Sequence, residues 1–419
     1  MSRVLFFGYI CHYLTFKNEQ TMTDILLTEI YELLESNSNI SIKDLINEKK
    51  DELGITSDLQ LSKVLNIDRT TLNRILTGDV NKVDLFSILK ITQFLGVNLE
   101  KLAQVYVASL KPEFIGELEQ ARRSNYIIKN FDLTGLKKAG IIDDISNLAS
   151  VEQRLLEFFD LNSIFDYGDS DTFVLFSRTK ANSNDKMRYV WVRSAFFQFK
   201  KIQNPYTFDK ESLLLLIPKI RSYTQYEEKG FITVLQALYH VGITVIVQPY
   251  LTKTQVKGGT FVINDMPCIV LTDYKKSYPT LWFTLMHELY HVLYDFEELK
   301  SWKYHLTGEP DTLLFREEDA DFFAREMLFP VEKLNYIKHM MNASAIVAQY
   351  AEKNNVHPSI IYSFYCWQQE KQGNKVWGLY DKFILSSDKA IKHVRTNPYD
   401  KRKIFDEIEK IKKYLTPAK

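Results

Sequence analysis

Twelve consecutive residues constrain this chain more than any other stretch: Trp282-Phe283-Thr284-Leu285-Met286-His287-Glu288-Leu289-Tyr290-His291-Val292-Leu293. On a helix, His287 and His291 stand one turn apart on the same face, about 6 Å along the axis. That is the spacing at which two imidazoles share one zinc ion. Glu288 sits beside the first of them, where its carboxylate can act on a metal-bound water without itself ligating. Phe283, Met286, Tyr290 and Leu293 fill one side of this helix, and Trp282, Leu285, Leu289 and Val292 another. A helix apolar nearly all round belongs inside a core. Two imidazoles and a carboxylate carried there need partners. A metal ion satisfies all three; a pair of hydrogen-bonded core histidines is the simpler alternative.

A catalytic zinc takes three protein ligands and keeps a fourth position open. The stretch from Arg316 to Pro330 offers the third. Glu317 and Asp321 lie one helical turn apart, and Ala320, Phe323, Ala324 and Met327 share their general side. That face turns inward until Pro330 ends the helix. Glu317 is therefore the expected third ligand, with Asp321 accepting a hydrogen bond from a ligating imidazole. Glu318 and Asp319 are expected in solvent. Upstream, Phe231 to Tyr239 reads as a helix, and Ile243 to Val247, Thr260 to Ile263 and Cys268 to Leu271 as strands, the last two joined by an Asn264-Asp265 turn. Thr260 to Ile263 or its hairpin partner is expected to form the sheet edge on which an extended substrate pairs. Tyr290, Tyr294, Tyr304, His305 and His357 are all candidates to donate to a developing oxyanion.

With these two helices the sequence resembles the ImmA/IrrE family of bacterial metallopeptidases, which pair a buried F-T-x-x-H-E-x-x-H helix with a later E-x-x-A-x-x-F-A-x-x-x-L-x-P helix. The resemblance implies a Zn²⁺ cofactor held by His287, His291 and Glu317, with Glu288 as the catalytic glutamate. It also implies a zincin-like domain whose small sheet precedes the active helix. Tyr290 stands where the family usually has glycine, and its bulk is expected to narrow the cleft or crowd the partner helix.

A second motif runs from Leu59 to Gly78. Leu61, Val64 and Leu65 form a short apolar stripe, and Asn66 suits a left-handed turn. Asp68 caps a second helix with an inner face of Leu72, Ile75 and Leu76, which Gly78 closes. Leu85, Ile88, Leu89, Ile91, Leu95 and Leu99 are expected to supply the supporting helices. Through Phe94 to Leu102 the stretch resembles the Cro-repressor-like, or XRE, helix-turn-helix. The resemblance implies contact with double-stranded DNA through residues 59–78, the second helix entering the major groove with Arg69, Thr70, Thr71, Asn73 and Arg74 as contacts. Seven acidic against six basic residues between Asp51 and Lys101 make a weak phosphate footprint, which a homodimer would double.

Lys+Arg and Asp+Glu number 53 each, so any DNA binding is local rather than spread over the surface. Three distant cysteines, Cys11, Cys268 and Cys366, build no disulfide framework and suit a cytoplasmic location. No apolar run reaches the roughly 18 residues that span a bilayer, so no membrane partner is expected. The chain reads as an α+β multidomain protein. Residues 1–22 are an extension or precede the true start at Met22. An all-α helix-turn-helix domain follows over 23–111, its first amphipathic helix carrying Ile25, Leu26, Ile30, Leu33 and Leu34. Residues 112–227 read as a mixed α/β connecting region, helical at Val151 to Phe159 and Leu213 to Ile220, with a strand at Phe173 to Ser177. The zinc peptidase domain covers 228–340, and 341–419 is a helical C-terminal region.

Asn130 to Leu133, Leu136 to Gly140 and Val151 to Ile164 resemble HigA-type antitoxin regulators that carry an ImmA/IrrE domain. Together these features imply a DNA-binding transcriptional regulator fused to a zinc-dependent, site-specific endopeptidase. Its expected substrate is a regulatory protein, such as a repressor or toxin partner. The alternative is a repressor or antitoxin in which the zinc domain is a sensor or inactive.

Overall fold

Side-chain caps decide where the first helices begin. In the computed structural model, which describes residues 41–79, 83–169, 183–251, 254, 256–302, 304–306, 314–399 and 404–416, the chain forms two compact units, Met1–Arg122 and Arg123–Lys419. The expected extension at 1–22, the helix over Ile25 to Leu34 and the strand Phe173 to Ser177 lie outside the described residues. Helices of six residues or more are numbered in chain order.

In the first unit, α1 (Ile42–Glu52) opens on a capping box between Ser41 and Asp44. α2 (Asp58–Leu65) and α3 (Arg69–Leu76) are joined through Asn66, whose φ of 49° is the left-handed turn expected there. Asp68 caps α3 by accepting from the Thr71 N–H at 2.9 Å. α4 (Leu85–Leu95) starts at Asp84 and α5 (Leu99–Ala108) at Asn98, each with a side-chain cap. Ile42, Ile46, Leu61, Leu72, Ile75, Ile91 and Leu102 make one core. Val64, Leu85, Leu89 and Leu99, expected inside, are exposed. Leu61 and Leu65 on α2, and Ile88, Ile91 and Leu95 on α4, already fill the single inward face that each short helix presents. Gly78 has φ +65°, and a Cβ there would meet the Ser109 carbonyl oxygen at 1.9 Å, so the end of this motif requires glycine.

α6 (Pro112–Asn130) carries the chain into the second unit. α7 (Leu133–Lys138), α8 (Leu148–Phe159), α9 (Ser183–Ile202), α10 (Lys210–Tyr223) and α11 (Gly230–His240) precede the sheet. β1 (Thr244–Gln248) runs parallel to β3 (Met266–Thr272), and β2 (Gly258–Ile263) pairs antiparallel with β3 and with β4 (Tyr304–Leu306), giving the order β1-β3-β2-β4. Asn264 and Asp265, both at positive φ, make the expected two-residue turn between β2 and β3. Neither hairpin strand is an edge: β2 lies between β3 and β4, and β3 between β1 and β2. The expectation of a free edge at Thr260 to Ile263 is corrected in part, because the short β4 pairs with Gly259, Thr260 and Phe261.

α12 (Tyr278–Tyr294) follows β3, then α13 (Phe296–Trp302), α14 (Leu314–Leu328), α15 (Val331–Ile337), α16 (Ser344–Lys353), α17 (Pro358–Lys371) and α18 (Ile404–Leu415). One hydrophobic core runs from Ile127 to Leu415. The stretches expected as a connecting region, a peptidase domain and a C-terminal region therefore pack together. A buried polar chain ties all three: the Gln198 side chain donates to Gln248 at 2.8 Å, Gln248 donates to the Trp191 carbonyl at 2.9 Å, and Thr396 donates to Gln198 at 2.5 Å. Each amide is satisfied only when α9, β1 and the segment around Thr396 are in place. The described part of 123–227 contains helices alone. The architecture is α+β, mostly helical around one small mixed sheet. Among the described residues no helix is long and apolar enough to cross a membrane.

Candidate metal centre

α12 starts at Ser277, whose hydroxyl accepts from the Thr280 N–H, and Pro279 occupies its first turn, where a missing N–H costs nothing. From Leu281 to Leu293 only Phe283 and Tyr290 escape full burial, so the expectation from its all-round apolar pattern holds. α14 packs along it and presents Glu317 and Asp321.

The three predicted ligands converge. His287 Nε2 and His291 Nε2 are 3.3 Å apart. Glu317 Oε2 lies 3.5 Å from the first and Glu317 Oε1 3.4 Å from the second. The opposite ring nitrogens are both engaged by carboxylates: His287 Nδ1 with Asp321 Oδ1 at 2.9 Å, and His291 Nδ1 with Asp295 Oδ2 at 2.7 Å. A carboxylate only accepts, so each Nδ1 carries the hydrogen and each Nε2 directs a lone pair at the other. Two lone pairs at 3.3 Å beside a carboxylate are satisfied by a shared proton or by a metal ion. The donor set of two imidazoles and one carboxylate suits a divalent ion, and these three groups could hold one.

Asp321 lies against the His287 ring, as expected from its spacing to Glu317. Asp295 was not foreseen, although a carboxylate one turn beyond His291 is a readable signal. Its side chain is 4% exposed, against 55% for Asp321, so the two supports differ in solvent access. An Asp295→Asn variant is expected to lower metal affinity by roughly 10- to 100-fold, because an amide can present its N–H to Nδ1 and invert the ring's tautomer. Competition with a chromogenic chelator measures it.

Burial by itself would depress the His287 imidazole, but hydrogen bonds to Asp321 and Glu317 and the charge of Glu288 hold it at about 10. Burial acts the same way on His291, and Asp295 and Glu317 again outweigh it and raise its pKa. Without an ion, the cluster therefore holds a proton at neutral pH. Metal and proton compete for the same nitrogens, so apparent zinc affinity should rise with pH, roughly tenfold per unit between pH 6 and 8 for each proton displaced. In the metal-free protein the sign is opposite. The raised imidazole stabilises the fold below its ordinary value of 6.5, and that contribution is lost as pH rises through about 10. Zinc titrations and metal-free melts across this range read the two effects separately.

Glu288 is fully buried, and its Oε2 accepts from the Thr260 hydroxyl at 2.7 Å. Thr260 is the second residue that sequence reasoning missed; a hydroxyl in an otherwise apolar strand was the available signal. Gly258 borders the same carboxylate: a Cβ there would lie 2.7 Å from Glu288 Oε1 and 2.7 Å from Thr284 Cγ2. β2 thus approaches α12 closely enough to fix the glutamate, and only glycine permits it.

A cleft of about 710 Å³ reaches His287, Thr284 and Asp321. Of the oxyanion candidates, His357 is not at the site. It caps α17, accepting from the Ser359 N–H at 3.1 Å, and its ring lies against Tyr278. Tyr278 is nine residues before His287, about 13 Å along the helix. Tyr290, in the position where glycine was usual, packs against Tyr294 and Phe323 with centroids 4.8 and 5.7 Å away. Its bulk falls on the α12–α14 seam, and it does not line the cleft. The side chains of Tyr304 and His305 lie outside the described set.

In the first unit, Arg69, Thr70 and Asn73 are exposed and Arg74 is half-buried. Thr71 is not available to a ligand: it is buried, and its hydroxyl is hydrogen-bonded to the Asp68 carboxylate. The capping role explains the residue without any DNA contact.

No protein-family model matches the chain, and no curated protein and no solved structure matches it.

Proposed function

We propose that this chain is a zinc-dependent endopeptidase joined to a helix-turn-helix DNA-binding unit. The observation that carries the catalytic half is the pair of opposed Nε2 atoms, each ring locked from behind by a carboxylate and closed by Glu317. His287, His291 and Glu317 would hold the ion, which when bound supplies Lewis acidity toward a carbonyl and acidifies water. Glu288 stands outside that ligand set with Oε2 accepting from Thr260, and its carboxylate would take up a proton and return it to a departing amine. Buried and flanked by Gly258 and Thr284, it performs that exchange away from bulk solvent. The sequence and the arrangement of α12 and α14 support a zincin-like site of the ImmA/IrrE type.

The DNA-binding half rests on α2 and α3. Their left-handed Asn66 joint, the Asp68 cap and the outward Arg69, Thr70 and Asn73 suit a recognition helix of the XRE kind. In this reading a regulatory protein is the substrate, and the first unit brings the enzyme to the DNA where that protein works. The test is a comparison of protein N-termini in host cells expressing wild type or Glu288→Gln at matched levels. A cut present only with wild type supports the peptidase and names its substrate. Identical sets of N-termini, with zinc still bound, would transfer the function to metal sensing by a repressor or antitoxin.

A further inference from the structure

The walls of the cleft that leads to His287 carry an unusual charge pattern. Lys257, Lys275, Lys276, Arg325 and Lys371 all line it. Among the described residues none of the five takes part in an ion pair, and the four lysines are exposed. The carboxylates on the same walls are Asp321, Glu370 and Asp381. Two of these are already engaged, Asp321 by His287 and Glu370 by the Trp377 indole at 3.0 Å. Phe283, Trp367 and Trp377 supply apolar surface between the charges, with the Phe283 and Trp367 rings 5.3 Å apart.

We infer that the cleft selects an extended peptide segment whose acidic side chains flank a large apolar residue. This rests on the peptidase reading above and names its substrate class. Exposed lysines at a cleft mouth raise the local concentration of acidic ligands and suppress basic ones. The half-buried aromatic surface gives the apolar residue a seat beside the ligands. A nucleic acid fits the pattern less well. Double-stranded DNA is too wide for a cleft of about 710 Å³, and the interspersed carboxylates oppose a continuous line of phosphates while leaving room for discrete acidic side chains.

Lys275 and Lys276 are the most telling pair. They follow one another at φ 59° and 46°, a left-handed backbone that lysine seldom adopts. They sit in the turn that leads from β3 into α12, the helix of the metal ligands. Asparagine tolerates that conformation, so Lys275→Asn with Lys276→Asn removes both charges and keeps the turn.

The experiment uses the zinc-loaded full chain carrying Glu288→Gln, so that binding is read without turnover. Fluorescein-labelled decapeptides of equal length, with a central Leu-Phe flanked by Asp and Glu, by Ser, or by Lys, are titrated by anisotropy. The acidic peptide should bind about tenfold more tightly than the serine peptide, as a few exposed ion pairs allow. This preference should fall to about twofold on adding Lys275→Asn and Lys276→Asn, and should shrink with added salt. Equal binding of the three peptides, or no binding of any, overturns the inference. So does a preference that survives the double substitution, or displacement of the acidic peptide by a single-stranded oligonucleotide that itself requires the two lysines. The peptidase reading is scored separately by the comparison of N-termini in cells: acidic preference with identical N-termini would retain the cleft assignment and reject the peptidase.

Discussion

Glu288→Gln is expected to reduce peptide hydrolysis by roughly 10²- to 10⁴-fold, the range that a positioned proton-transfer group supplies. Zinc binding and the fold should both persist. Glutamine has the shape of glutamate and keeps an oxygen to accept from the Thr260 hydroxyl, the contact that fixes this side chain at 2.7 Å. The ligand group of His287, His291 and Glu317 does not include position 288. Replacing the carboxylate by an amide also removes the charge that raises the two imidazoles, so the metal-free variant should bind its protons less tightly. Hydrolysis of the substrate identified in cells, measured beside zinc content and thermal midpoint, checks all three. A variant that loses zinc as well as activity would mean that Glu288 is a ligand rather than a proton carrier.

The second large effect concerns His291→Ala. Zinc that binds only the folded chain stabilises it by about 4 kcal/mol at a thousandfold excess over Kd, and removing one of two imidazoles should abolish nearly all of that. The metal-free forms should also differ. His291 covers Asp295, which is almost fully buried, whereas His287 covers Asp321, which is more than half exposed. Deleting His291 removes the imidazole held against a buried carboxylate, at a cost of roughly 1–3 kcal/mol; deleting His287 removes one from Asp321, which water already reaches. Metal-free His291→Ala should therefore melt below metal-free His287→Ala, though both lose the zinc increment. Equal melting of the two metal-free variants would show that Asp295 is not a support of the site. Scanning calorimetry with and without zinc measures both quantities.

The site was legible because its information is local. His287 and His291 share a helix face by spacing, and Glu317 and Asp321 share another, so two short patterns named four of the participants. Thr260 lies 28 residues from its partner, and nothing in one sequence says which strand residue meets a buried glutamate. Asp295 was within reach, one turn beyond His291, but it stands at the first residue after the helix and reads as an end signal. The three-block reading of 112–419 failed for a similar reason. Patterns of helix and strand give each element's apolar face without saying which faces meet, and Gln198, Gln248 and Thr396 join elements almost 200 residues apart. The expected free edge at β2 failed at Thr260 and Phe261 because β4 is only three residues long, too short to leave a strand signal.

In the proposed site His287, His291 and Glu317 hold one zinc ion between α12 and α14. Metal analysis with zinc-edge X-ray absorption on the purified full chain tests it directly, with His291→Ala alongside. The expected result is one zinc per chain in a shell of imidazole nitrogen and oxygen without sulfur, and little zinc in the variant. A chain that takes up no zinc, or zinc that stays bound in the same shell after His291→Ala, would contradict it.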